Sequence, residues 1–232
     1  MIEQIKIYDI LVNSLRTKFH NYKPEPALMP FHTRLLGKDR LALFSFIHSL
    51  NTNFGTAIFE PVAVELARKK FNKALKQQTA GLLISAEAHR VIQEIMNGLE
   101  TAEKAPDKKA EIEKIREAAQ KGEMNNVRLT KVDLWIEGKS GELFLFDIKT
   151  AKPNAGGFKE FKRTLLEWCA AIFAVNPNAN VNTLIAIPYN PYEPNPYKRW
   201  TMRGMLDLNN ELLVGKEFWD FLGGEGAYEE LL

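Results

Sequence analysis

Apolar residues in the first half of the chain recur at the three- and four-residue spacing typical of amphipathic helices. One such stripe predicts a first helix that ends near residue 19, with the members Ile2, Ile5, Asp9, Val12 and Leu15. Further helices are predicted over residues 31–49, from residue 56 onward, over 85–104 and over 107–120. The last of these has mostly charged side chains, so we expect it to project into solvent.

The pattern changes after residue 123. Two strand-like runs, "NNVRLTKVDLWIEG" and "ELFLFDIKTA", flank the turn signal "GKSG" and predict a β-hairpin. A helix ("GGFKEFKRTLLEWCAAIFAVNP"), a buried strand ("VNTLIAIPYN") and a short closing helix ("KEFWDFLGG") follow. The order predicts one mixed α/β (α+β) domain over 1–232, with a helical N-terminal half (1–123) and a core of 124–232 built on a small mixed sheet flanked by helices.

Composition narrows the class of protein. The 232 residues are 45% hydrophobic, which is enough for one sizeable core. No apolar run reaches the roughly 20 residues that a membrane span needs, and the charges of Glu3, Lys6 and Asp9 favour an amphipathic helix over a signal peptide. Cys169 is the only cysteine, so we expect a buried structural thiol, no internal disulfide and no cysteine-based zinc site. A soluble, intracellular protein is expected.

Charge is unevenly distributed, although the net charge is only +2. Between residues 148 and 163 there are five positive side chains and one negative side chain. Such a positive excess predicts a surface that meets an anion such as phosphate.

An acid and a base interrupt the most apolar strand. Asp147 and Lys149 directly follow "LFLF", where ionised groups are costly to bury. If the hairpin loop is the three residues 139–141, Gly141 supplies its left-handed position and Asp133 lies directly opposite Asp147. A two-residue loop would instead put the aspartates on opposite faces, and the position of Gly141 favours the three-residue loop.

The favoured register places Lys131, Asp133, Asp147 and Lys149 on one face of the sheet. Two carboxylates about 5 Å apart repel unless a cation lies between them or one of them is protonated. Oxygen ligands suit Mg²⁺, which polarises a phosphoryl oxygen and lowers the pKa of bound water. Lys149 would then orient or deprotonate that water, or neutralise charge in the transition state.

The pattern D-x13-D-x-K resembles that of the PD-(D/E)xK nuclease superfamily. The resemblance makes Asp133 the first acid and Asp147-Ile148-Lys149 the D-x-K element, with Val132 in place of the usual proline. It also implies an acid on a helix before the sheet. Glu60 is the first choice for this acid, as a catalytic and metal-binding residue, and Glu65 is the second.

The segments "KVDLWI", "FLFDIKTAKPNAGGFKEFKRTLLEWCA" and "LLVGKEFWDFLGG" look like those of TdeIII-type type II restriction endonucleases. The similarity covers the second half well and the first half only in layout. It implies a restriction-endonuclease-like fold and a homodimer that cuts double-stranded DNA at a short palindrome of the GGNCC type. It also implies Mg²⁺ as cofactor, with Mn²⁺ as a substitute, and a cytoplasmic prokaryotic setting whose host has a cognate DNA methyltransferase.

A basic segment and a proline- and tyrosine-rich loop near residues 190–203 are expected to contact this DNA, since arginine can read guanine in the major groove. The residues predicted to contact DNA share positive charge or hydrogen-bonding capacity: Lys131, Lys152, Asn154, Lys159, Lys162, Arg163, Tyr197, Lys198, Arg199 and Arg203. Phenylalanines crowd the first half and predict a dimer interface there: Phe31, Phe44, Phe46, Phe54 and Phe59.

Two other readings stay open. A structure-selective nuclease, such as a junction resolvase or a repair nuclease, shares the D-x-K core. A non-catalytic DNA-binding subunit, or a helical interaction module, would carry the same acids without chemistry, because a lone D-x-K triplet also arises by chance.

Overall fold

The computed structural model of the chain describes residues 2–22, 29–149, 157–197 and 200–232. These residues form two compact units, Met1–Glu65 and Leu66–Leu232. The boundary between the two units follows Glu65. It therefore lies earlier in the chain than residue 123, near which the sequence predicts the change from a helical half to the core. The difference arises because residues after Leu66 already contribute a strand to the central sheet.

The first unit is helical, as predicted. It contains α1 (Ile2–Asn21), α2 (Pro30–Leu36), α3 (Lys38–Phe54), a π-helical turn (Gly55–Phe59) and the start of α4 (Glu60–Ala67). Aromatic packing joins α1 to α3, since the ring of Phe46 lies 4.9 Å from those of Phe19 and Tyr22. A hydrogen bond of 2.6 Å from Ser14 Oγ to the carbonyl of Ala57 joins α1 to the π-helical turn.

The second unit contains the sheet. Its elements in chain order are β1 (Lys73–Gln78), β2 (Leu83–Ser85), α5 (Ala86–Glu100), α6 (Lys108–Ala118), β3 (Met124–Asn126), β4 (Val132–Glu137), β5 (Leu143–Ile148), α7 (Gly157–Val175), β6 (Val181–Ile187), α8 (Trp200–Arg203), β7 (Leu212–Val214), α9 (Lys216–Gly223) and α10 (Ala227–Leu231). The predicted hairpin, long helix, buried strand and closing helix are confirmed as β4–β5, α7, β6 and α9. The predicted helical N-terminal half (1–123) also contains the strands β1 and β2, which the sequence did not indicate.

The central sheet is mixed and has the strand order β1-β4-β5-β6-β7. The pairs β1–β4 and β4–β5 are antiparallel, whereas β5–β6 and β6–β7 are parallel. The crossover from β5 to β6 contains α7, as a parallel connection requires. The predicted fold class, a mixed sheet flanked by helices, is confirmed.

The core lies between the sheet and the helices α5, α6 and α7. Trp168, Phe173 and Cys169 of α7 are fully buried there, and Cys169 is a free thiol, as predicted. The expectation that the charged segment 107–120 projects into solvent is wrong, because Ile115 and Ala118 of α6 belong to this core. None of the helices in the described part of the chain is long and apolar enough to cross a membrane.

Candidate active site

The β4–β5 hairpin has the register that the sequence predicts. Leu134 pairs with Phe146, and Gly138 donates a 2.7 Å hydrogen bond to the carbonyl of Glu142, which closes the three-residue loop. Gly141 has a φ of 88°, the left-handed conformation that glycine adopts readily. One step beyond the Leu134–Phe146 pair, this register aligns Asp133 with Asp147.

Asp133 is fixed by donors from the strands on both sides of β4. The backbone N–H of Ile148 on β5 donates a 2.8 Å hydrogen bond to Asp133 Oδ2. The side-chain amide of Gln77 on β1 donates a 3.1 Å hydrogen bond to Asp133 Oδ1. Both carboxylate oxygens are therefore held in place by donors of the neighbouring strands.

Asp147 is buried, with 2% of its surface exposed. Burial raises the pKa of Asp147 to about 6, against the lowering effect of the Lys149 ammonium, while the like charge and a hydrogen bond of Asp133 add to the rise. Burial is the main cause of the rise and the like charge of Asp133 adds to it, so a cation placed between the two carboxylates would favour the ionised form of Asp147. The pair Asp133–Asp147 is therefore suited to receive a cation.

Lys149 follows β5 and turns its side chain back toward the acids. Its Nζ lies 2.6 Å from Asp147 Oδ1 and 4.8 Å from the centre of the Phe161 ring on α7. Its backbone N–H donates to the carbonyl of Ala186 at 2.8 Å, which continues the pairing of β5 with β6. The ammonium is thus held between a carboxylate and an aromatic face, and 27% of its side chain is exposed to solvent.

The donor set fits the predicted Mg²⁺. Carboxylate oxygens are ligands that Mg²⁺ prefers, and it commonly binds one or two carboxylates while it keeps several waters. Within the described residues, no three His, Cys, Asp or Glu side chains are grouped so as to hold a metal. Among the described residues, the proposed metal ligands are therefore the two carboxylates of Asp133 and Asp147.

The two acids predicted from the helix before the sheet lie in the first unit. Glu60 is the first residue of α4 and its side chain is buried. Glu65, one turn further along, forms an ion pair of 3.1 Å with Lys6 of α1. The metal-binding role of Glu60 stays a prediction.

The predicted DNA contacts fall into three groups. Lys152, Asn154, Lys198 and Arg199 lie outside the described residues. Lys131 and Arg203 are exposed, and Lys159 is exposed with a 2.8 Å ion pair to Glu100. Arg163 donates to Gln93 at 2.9 Å, and the ring of Tyr197 is half-buried 5.8 Å from that of Tyr192. The accessible members stay predictions.

Lys162 requires a correction, because its side chain is completely buried. Its Nζ lies 2.5 Å from Glu111 Oε2 and 2.8 Å from Glu211 Oε2, and Glu211 also pairs with Lys108 at 3.1 Å. An ammonium enclosed in this network cannot reach a DNA phosphate. The prediction was wrong because a lysine among other basic residues on a helix resembles a solvated surface lysine in sequence.

Two neighbours of the acids were not foreseen, namely Gln77 and Phe161. The segment that contains Gln77, "KALKQQ", has no clear alternation of apolar residues, so β1 and its amide gave no signal. Phe161 lies on α7, and from the sequence its contact with Lys149 cannot be distinguished from ordinary packing of an apolar residue of this helix.

Comparison with known proteins shows to which family the chain belongs. The family model described as "Type II restriction endonuclease, HinfI" matches residues 2–232. The type II restriction enzyme MjaII of Methanocaldococcus jannaschii is 29% identical over 254 residues, an alignment that covers 97% of this chain and 66% of that enzyme. HgiCII and HgiEI of Herpetosiphon aurantiacus, also type II restriction enzymes, are each 26% identical over 211 residues, covering 88% of this chain and 75% of theirs. The chain thus spans about two thirds of the length of MjaII and three quarters of the other two.

Proposed function

The chain belongs to the HinfI family of type II restriction endonucleases, and on that premise we propose that it hydrolyses phosphodiester bonds of double-stranded DNA at a short palindromic site with Mg²⁺. The observation that carries the proposal is the meeting of Asp133, Asp147 and Lys149 at one end of the β4–β5 hairpin. The relatives are named as restriction enzymes, which supports the same class of activity.

Asp133 and Asp147 would hold the metal, with Mn²⁺ as a possible substitute. When bound, the ion polarises a phosphoryl oxygen and lowers the pKa of a bound water. Ile148 and Gln77 fix the rotamer of Asp133, so that little reorganisation is needed when the site is occupied. Glu60 is proposed from the sequence as a further acid that assists the metal or its water shell.

Lys149 would act on the attacking water or on the developing negative charge. Its ammonium lies beside Asp147, so a phosphate group brought to the acids also meets a positive charge. Phe161 limits the directions that this side chain can take, since it covers one side of the ammonium. The proposed roles are to orient or deprotonate the water, or to neutralise charge in the transition state.

The recognition site is proposed to be of the GGNCC type, and the enzyme to be a homodimer acting in a prokaryotic cytoplasm beside a DNA methyltransferase of the same specificity. A palindrome has a two-fold axis that a C2 dimer matches. Phe31 and Phe44 of the first unit are 71% and 57% exposed, which supports an interface on this unit. Light scattering with and without DNA tests the dimer, and a monomer in both conditions would contradict it.

Digestion of a plasmid of known sequence tests the function. We expect discrete fragments with identical ends in Mg²⁺, and sequencing of the ends would give the recognition site. Smeared products or cleavage only at junctions would show a structure-selective nuclease instead. Absence of cleavage, together with no heat of Mg²⁺ or Mn²⁺ binding in the presence of DNA, would show a non-catalytic DNA-binding protein.

A further inference from the structure

Gln77 has an unusual backbone conformation for a residue of a strand, here the edge strand β1 of the central sheet. Its φ is 57°, in the left-handed region that residues other than glycine seldom adopt. Among the described non-glycine residues, only Ala102 shares a positive φ, and Ala102 lies in the turn after α5. Left-handed residues are common where helices end, whereas Gln77 lies within β1 and has no such explanation.

The pairing of β1 with β4 keeps the same register on both sides of Gln77. Lys76 pairs with Leu134 and Gln78 pairs with Val132, so Gln77 lies across from Asp133 without an inserted residue. The left-handed conformation is therefore not the consequence of a β-bulge that changes register. The left-handed conformation occurs together with a 3.1 Å hydrogen bond that the Gln77 side-chain amide donates to Asp133 Oδ1.

Strained backbone that persists within a strand commonly lies at functional sites, where neighbouring interactions maintain it. Gln77 and Ile148 together hold the two oxygens of Asp133 from the two strands that flank β4. An amide that donates to a metal-binding carboxylate fixes the orientation of that ligand. The strained backbone of Gln77 thus goes together with a side-chain amide that holds the carboxylate of Asp133.

We propose that Gln77 is a positioning residue for the metal-binding carboxylate of Asp133, aimed by its left-handed backbone. This inference rests on the proposed function, because it takes Asp133 as a metal ligand. Gln77 itself touches neither DNA nor the ion in this proposal. Its amide holds Asp133 in the rotamer that converges on Asp147, so that both acids can bind one divalent cation.

The substitution Gln77→Gly distinguishes the role of the side-chain amide, which it removes, from the strain of the left-handed backbone, which it relieves. Glycine adopts the left-handed conformation without a steric penalty but has no amide, so the variant should melt at the wild-type temperature or higher. Its affinity for Mn²⁺, measured by titration calorimetry on the full chain without DNA, should fall about 10- to 100-fold. The matched control is Gln78→Ala, because the Gln78 amide donates to the carbonyl of Lys76 and not to an acid of the site. This control should bind Mn²⁺ as the wild type does.

Cleavage kinetics provide a second readout. For Gln77→Gly, the Mn²⁺ concentration that gives half-maximal rate should rise with the loss of affinity, while KM for DNA stays at the wild-type value. Wild-type Mn²⁺ affinity and wild-type metal dependence in this variant would overturn the inference and leave the proposed function intact. If Gln77→Gly does not fold, Gln77→Asn replaces it. Asparagine tolerates the left-handed region, but its shorter side chain withdraws the amide from Asp133, so the same loss is expected.

Failure of the proposed function has a different signature. In that case the wild-type chain would bind Mn²⁺ no more tightly than Asp147→Ala, whatever residue stands at position 77. The inference about Gln77 is supported only when the wild type binds Mn²⁺ more tightly than both Gln77→Gly and Asp147→Ala, and Gln78→Ala does not differ from the wild type.

Discussion

The backbone N–H of Ile148 donates a 2.8 Å hydrogen bond to Oδ2 of Asp133. The first acid of the site is thereby tied to the strand that carries the second acid, Asp147. This contact exists only in the register that the three-residue hairpin loop imposes, because a shift by one residue would turn one acid to the opposite face. The turn between β4 and β5 therefore decides whether the two carboxylates meet.

Gly141 is accordingly expected to matter for stability. It has a φ of 88° and open space around its α-carbon, so a larger residue costs backbone strain and causes no clash. We predict that Gly141→Ala lowers the free energy of unfolding by about 1 kcal/mol, and that Gly141→Asn lowers it less. Urea denaturation measures this, with Gly204→Ala as the control at a glycine of ordinary φ that also has open space. Equal stability of Gly141→Ala and Gly204→Ala would contradict the assigned turn.

The buried ion pairs of Lys162 predict that its substitution lowers stability more than substitution of an exposed lysine does. Lys162→Met leaves Glu111 and Glu211 with less positive charge in the core, and should lower the free energy of unfolding by about 3–5 kcal/mol. Lys159→Met removes only an exposed ion pair with Glu100 and should cost at most about 1 kcal/mol. Thermal or chemical denaturation of the two variants compares them. A Lys162→Met protein as stable as the wild type, but with weakened DNA binding, would restore Lys162 to the DNA surface.

The raised pKa of Asp147 predicts how stability and metal binding depend on pH. This pKa rises from 3.8 to about 6 on folding, chiefly through burial. Between those values the folded chain keeps a proton that the unfolded chain has lost. The contribution of this group to the free energy of unfolding is therefore greatest below about pH 4 and is lost as the pH rises to about 6. In the metal-free protein this decline should be present in the wild type and absent in Asp147→Asn.

A metal ion competes with the same proton. The affinity for Mn²⁺ should rise about tenfold per pH unit up to about pH 6 and then level off, because Asp147 must lose its proton to bind the ion. Titration calorimetry between pH 5 and pH 8 measures this. An affinity that is constant or falls between pH 5 and pH 6 would show that Asp147 is not a ligand.

Lys149 should affect the rate and not the binding of DNA. Lys149→Met keeps most of the packing against Phe161 and removes the charge beside Asp147. We predict a loss of about 10²–10³ in kcat, the range found when one stabilising donor is removed, with KM for DNA within about threefold of wild type. A loss confined to KM would instead make Lys149 a DNA-binding residue.

Much of the second half could be predicted from the sequence because its signals are local. The position of Gly141 determined the hairpin register, and the apolar run "LFLF" marked β5 as a buried strand. The helix predicted over residues 85–104 likewise begins where α5 does, at the cap residue Ser85, whose Oγ accepts a hydrogen bond from the backbone N–H of Ala88.

Features that depend on long-range partners could not be predicted. β1 has weakly alternating polar residues, and only its pairing with β4 makes it a strand. Lys162 and Glu111 have the spacing of surface residues, and their burial results from the packing of α6 against α7. The contact of Gln77 with Asp133 joins residues 56 positions apart and depends on a backbone conformation that no local pattern indicates.

The most direct test of the central claim, that Asp133 and Asp147 form a metal-dependent hydrolytic site, is plasmid cleavage in Mg²⁺ by Asp147→Ala. Lys73→Ala, which loses an exposed ion pair with Glu137 on the same sheet, is the control. We predict wild-type fragments and rates for Lys73→Ala. For Asp147→Ala we predict wild-type DNA affinity but a cleavage rate below about 1% of the wild-type rate. If Asp147→Ala is folded and retains more than a few per cent of wild-type cleavage, the assignment of this site is wrong.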